Sequence, residues 1–105
     1  MKGFYIYDVP KGYMRVKGHR IVLPGWEHLD LFVHWNLDFP NLRYYCITEG
    51  RTGRRLGHSA GCLHMLKEYT LRALEKNAET LEIRVAAHIA RYGISPRYAD
   101  VEAER

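Results

Sequence analysis

From Cys62 to Tyr92 the chain contains neither glycine nor proline. Within it Cys62, Leu63, Leu66, Tyr69, Thr70, Ala73 and Leu74 recur at three- and four-residue steps. Leu74, Ala78, Leu81, Val85, His88 and Tyr92 continue the stripe. That is the period of an amphipathic helix with one buried face. Ser59 precedes the stripe as a candidate N-cap, and Gly93 and Pro96 stop it. One uninterrupted helix here would be a rod of ~50 Å at 1.5 Å per residue, long enough to overhang a small sheet and to need a partner chain. The favoured alternative is two helices broken near Asn77, a good N-cap for a second helix starting at Ala78.

The first half has the other period. Leu29 to Leu37 alternates, with Leu29, Leu31, Val33, Trp35 and Leu37 on one face and Asp30, Phe32, His34 and Asn36 on the other. This predicts a strand with one buried face. Phe4–Tyr7, Leu42–Thr48 and Arg54–Leu56 read as further strands. Tyr13–Lys17 and Arg20–Leu23 read as a hairpin with a tight turn at Gly18-His19, ended by Pro24-Gly25. The aromatic residues fall mostly before residue 50, where flat side chains suit a pleated surface. The expected fold is α+β: an N-terminal antiparallel sheet of about five strands packed with one or two C-terminal helices. One domain spans 1–92, and 93–105 is a polar C-terminal tail. With 47% hydrophobic and 27% charged residues, the composition is that of a packed globular domain and excludes disorder.

No apolar run approaches the ~20 residues that cross a bilayer, and the N-terminus does not read as a signal peptide. A cytoplasmic protein with two free, buried thiols, Cys46 and Cys62, is expected. The formal charge of +4 is uneven: residues 1–72 carry eleven Lys/Arg against six Asp/Glu. The basic excess lies on the sheet half and the first helix.

Gly57-His58-Ser59-Ala60-Gly61 matches the G-x-S-x-G nucleophile elbow. That elbow needs a buried central strand before it, and Arg54-Arg55-Leu56 is short and charged. Ser59 is therefore read as a helix cap and not as a nucleophile. Arg51, Arg54 and Arg55, interleaved with Gly50, Gly53 and Gly57, surround the expected helix start with His58 and Ser59. Unpaired N–H groups, a positive dipole end and bidentate guanidiniums at one place suit a phosphate. Arg84, His88 and Arg91, at i, i+4 and i+7, form a second candidate strip. His58, Cys62 and His64 are too few for a zinc site without Cys46 or His88 as a fourth ligand, so no metal is expected. No cofactor is expected either.

The stretch Phe32-Val33-His34, then Tyr45-Cys46-Ile47-Thr48-Glu49-Gly50-Arg51-Thr52-Gly53-Arg54-Arg55-Leu56-Gly57 running into a helix, resembles a hairpin-plus-helix pattern of small phage-encoded proteins. Over roughly residues 30–75 the plan is similar to the anti-Thoeris sponges that sequester cyclic ADP-ribose-type signals. The resemblance implies a viral accessory role, in host cytoplasm, and makes a homo-oligomer plausible. It transfers no ligand residues. The expected partner is a nucleotide or other phosphate-bearing small ligand, bound by Arg51, Arg54, Arg55, His58, Ser59, Arg84, His88 and Arg91 without catalysis. Nucleic acid and a host defence enzyme are the alternative partners, and no membrane is expected.

Overall fold

The computed structural model describes residues 2–8, 12–35 and 44–98. Five strands, β1 (Lys2–Asp8), β2 (Gly12–Ile21), β3 (Leu31–Trp35), β4 (Tyr45–Glu49) and β5 (Arg55–Ala60), precede two helices, α1 (Leu63–Lys76) and α2 (Leu81–Tyr92). The strands pair antiparallel in chain order, so the α+β class read from the sequence holds. The sheet curls: Tyr7 N–H, on edge strand β1, donates to the Gly53 carbonyl in the β4–β5 turn at 2.9 Å.

The two apolar stripes meet one face of this sheet. Leu66 and Leu74 of α1, with Leu81 and Val85 of α2, bury against Leu23, Leu29, Leu31, Ile47 and Ala60. Truncating any one of these leucines to alanine removes roughly 2–5 kcal/mol. The helices are separate. Asn77 closes α1, its backbone N–H and its side-chain amide both donating to the Ala73 carbonyl. Its own carbonyl accepts from Thr80 and Leu81 N–H. Asn77 is thus a C-cap of α1 and not the N-cap of a helix at Ala78.

Five other readings need correction. Residues 12–21 form one strand and not a hairpin: Gly12–Gly18 pair with β1 and His19–Ile21 with β3. Gly18 is there for close packing. A Cβ at that position would lie 2.6 Å from the Val33 carbonyl oxygen and against the Phe4 and Phe32 rings. β3 is buried on both faces, because Phe32 (1% exposed) stacks on Phe4 at 4.5 Å and the Arg97 guanidinium covers Phe4 from beyond. Leu37 and Leu42, also assigned to strands, lie outside the described residues.

Ser59 does not cap a helix. It lies within β5, its hydroxyl 3.2 Å from Cys46 Sγ. The N-cap is Cys62, whose sulfur accepts from Met65 N–H, and this places Cys62 at the surface and not in the core. The strand runs on through the glycine motif because Gly57 makes a bulge. Tyr45 pairs with Ala60 but Ile47 with Leu56, so β5 carries extra residues across the gap. Gly57 has φ +64°, and a Cβ there would meet the Tyr69 carbonyl of α1 at 3.0 Å.

The segment read as a polar tail begins as packed structure. Ser95 is fully buried and its N–H donates to the Arg51 carbonyl. Arg97 and Tyr98 both donate to Asp30 Oδ2.

These observations fix two stability outcomes. Gly57→Ala, forced into a left-handed conformation against α1, is expected to lose about 1–3 kcal/mol by chemical denaturation. Cys62→Asp, a stronger acceptor at the same cap, is expected to gain roughly 0.5–1 kcal/mol, and Ser59→Ala is expected to cost less than a lost cap would.

Candidate functional site

Glu49, at the end of β4, has its carboxylate almost completely buried. It is fully matched: it accepts from Arg51 N–H (2.8 Å), Thr52 N–H (3.1 Å) and Arg51 Nε (3.2 Å). The Thr52 hydroxyl accepts from Arg54 N–H, Gly53 N–H donates to the Glu49 carbonyl, and Glu49 N–H donates to the Arg54 carbonyl. The arginine-rich turn is therefore rigid. The free end of Arg51 reaches α2 and pairs both its terminal nitrogens with Glu82, at 3.0 Å each. That pairing raises the guanidinium pKa, and it lowers that of the Glu82 carboxyl.

The far end of α2 docks on the sheet through rings. His88 and Tyr92 meet Tyr7 edge-on at 4.9 Å and tilted at 4.7 Å. The Tyr13 hydroxyl donates to the Gly93 carbonyl and contacts His88 Nε2 at 3.0 Å. Burial first, then the positive charge of Arg54, pushes the His88 imidazole below its usual pKa. Held at both ends, α2 stands further off the sheet than α1 does, and a cleft of ≈ 570 Å³ opens beside it. Its floor is apolar, from Leu56, Leu74, Leu81 and Val85. Its rim carries Arg54, Arg55, Arg84, His88 and Arg91.

The two arginine strips, thirty residues apart in sequence, thus border one cavity. Among the described residues no carboxylate pairs with Arg54, Arg84 or Arg91. Arg54 lies over the Tyr7 ring at 5.9 Å and Arg91 over Tyr92 at 5.2 Å, contacts that orient a guanidinium while leaving its N–H donors open. Arg55 borders the cleft and also reaches Cys46 Sγ at 3.9 Å.

Three of the residues expected at a ligand are placed elsewhere. Arg51 is engaged with Glu49 and Glu82. His58 packs edge-on to Tyr69 at 6.0 Å, and Ser59 sits with Cys46. None of the three lines the cleft. The N-terminus of α1 does not border the site as the sequence reading required, because α1 starts at Leu63, beyond the strand. Asn77, which lines the cleft, and Tyr7 and Tyr13, which contact His88 at its border, were not anticipated. Tyr13 and His88 are 75 positions apart, and no local pattern signals that pairing. The described residues hold no cluster of three or more His, Cys, Asp or Glu side chains placed for a metal ion, and no helix among them is long and apolar enough to cross a membrane.

Comparison of the chain with protein-family models, with curated proteins and with solved structures finds no match in any of the three. The site therefore has to be read from its own chemistry.

A second histidine contributes to the pH response of the fold. His34 is buried between strands, with Nδ1 on the Trp35 carbonyl (2.7 Å) and Nε2 on the Thr48 hydroxyl (2.8 Å). Burial lowers its pKa, the Trp35 bond opposes this, and Arg55 adds to the lowering. For both His34 and His88 the unfolded chain binds the proton more readily than the folded one. Their stabilising effect is full above the ordinary value of 6.5 and is lost as pH falls from there toward their depressed folded values. Melting temperature is expected to be flat from pH 8 to 7 and to fall below about 6.5. His34→Asn, which keeps a donor for the Trp35 carbonyl, is expected to flatten that fall. An unchanged slope would remove His34 as its cause.

Proposed function

We propose that the cleft under α2 binds and sequesters a nucleotide-like anion, without transforming it. The observation that carries this reading is the convergence of Arg54, Arg84 and Arg91, unpaired with any described carboxylate, on one concave cavity with an apolar floor. Unpaired guanidiniums on an open surface are held by water. On a concave site several of them can reach one phosphate together, each through a charge-assisted bond. The volume lies within the usual ~300–1,000 Å³ of small-ligand pockets. The apolar floor offers a base or sugar face somewhere to lie. Sequestration needs affinity and copy number only, and the resemblance to signal-sequestering phage proteins supports the same reading, with evasion of host defence as its context.

The test removes charge from both strips at once. Arg54→Ala with Arg84→Ala is expected to weaken binding of pyrophosphate and of mononucleotides by roughly 100-fold or more in calorimetry, at about 1.5–3 kcal/mol for each charged bond. The melting temperature should move little, since exposed charges contribute little to folding. Salt separates the ligand classes: a small anion gives a shallow dependence, whereas neutralising many nucleic-acid phosphates gives a steep one. Undiminished binding by the double variant would place the site elsewhere.

A further inference from the structure

His88 borders the cleft with one of its ring nitrogens already committed. Tyr13 Oη has a single proton, and that proton goes to the Gly93 carbonyl, which can only accept. The 3.0 Å contact between Tyr13 Oη and His88 Nε2 must then be an imidazole N–H donating to the phenol oxygen. The Tyr13 phenol stays protonated, because burial, Tyr7 and Glu49 all hold its pKa above the usual value. Burial and Arg54 hold the imidazole neutral. A neutral imidazole with its proton on Nε2 has a bare lone pair on Nδ1.

Nδ1 has no hydrogen-bond partner among the described residues. Its neighbours on α2 are Arg84, one turn before, and Arg91, almost one turn after, so the imidazole lies between two guanidiniums on the cleft side of the helix. Arg54 faces it from the sheet. Guanidiniums only donate, and among the described residues none of them bonds to Nδ1, so that acceptor is open to a donor on a ligand. The site presents donors to an anion and, on the strip between Arg84 and Arg91, a neutral acceptor. Its complement is a molecule with a phosphate and a neutral O–H close beside it. In a nucleotide the hydrogen donors nearest the phosphate are the sugar hydroxyls, while the base amines lie further away.

Resting on the anion-binding reading above, we propose that the cleft selects a hydroxyl-bearing phosphate ester of the ribonucleotide type, with Arg54, Arg84 and Arg91 holding the phosphate and His88 Nδ1 accepting a sugar hydroxyl. Tyr13 is a positioning residue: it never touches the ligand, and it fixes which imidazole nitrogen is bare.

Calorimetry at pH 7.5 with three probes tests this: pyrophosphate, adenosine monophosphate and its 2′,3′-dideoxy analogue. The ribonucleotide is expected to bind about tenfold more tightly than the dideoxy analogue, the worth of one well-made hydrogen bond. His88→Gln, whose amide can still donate to Tyr13, is expected to bring that ratio close to one. Tyr13→Phe, which frees the tautomer, is expected to shrink it as well, an effect that loss of packing alone would not have on a ratio of two nearly identical ligands. If pyrophosphate binds and the two nucleotides bind equally to the wild-type protein, the hydroxyl inference is overturned and the phosphate reading stands. If none of the three probes binds, both fall. The wild-type ratio decides the matter even where a variant does not fold.

Discussion

A buried carboxylate organises this fold. Removing the Glu49 charge from water is costly unless both carboxylate oxygens are answered by donors. Here two backbone N–H groups and Arg51 Nε answer it. Once that turn is formed, its neighbours are tied to it in several directions. Gly53 receives the Tyr7 N–H and so curls the sheet, Gly50 N–H reaches the Asp30 carbonyl, and Ser95 N–H returns to the Arg51 carbonyl after α2. The outer end of Arg51 holds the first turn of α2 through Glu82. A single acid in the β4–β5 turn thus relates strand closure, helix placement and the path of the chain after the helices.

The cleft follows from how α2 is held. α1 lies flat on the sheet because Gly57 lets its backbone come close. α2 has no such approach. An ion pair fixes one end and a ring cluster of Tyr7, Tyr13, His88 and Tyr92 fixes the other, with Leu81 and Val85 reaching the shared core between them. A helix supported at its ends leaves a hollow along its flank. Because Arg51 is consumed by structure, the cations on that hollow that pair with no described carboxylate are Arg54, Arg84 and Arg91.

Much of the architecture was legible before any coordinates. The stripe from Cys62 to Tyr92, the break near Asn77 and the stop at Gly93 are local signals, and the helices lie where those signals put them; the alternation in Leu29–Leu37 located β3 but not its burial, since Phe32 and His34 are buried and Trp35 is exposed. Misreadings gathered at glycines and at a serine. Gly18 was taken as a turn former, yet it makes room for the neighbouring strand β3, and Gly57 builds a bulge within β5. Ser59 has the chemistry of a cap but is kept in β5 by that bulge, and Cys62 takes the cap position.

By itself the sequence determined which segments have an apolar side, because that depends on the spacing of neighbours in the chain. It also marked two groups of arginines as candidates. Only tertiary structure decided that these groups border one cavity, that Arg51 belongs to Glu49 and Glu82, and that Tyr13 sets the tautomer of His88 from 75 positions away. The reason is physical. Side-chain period is a local property of the backbone, whereas the pairing of a charge or a ring nitrogen is settled by whichever group the folded chain brings within about 3 Å of it.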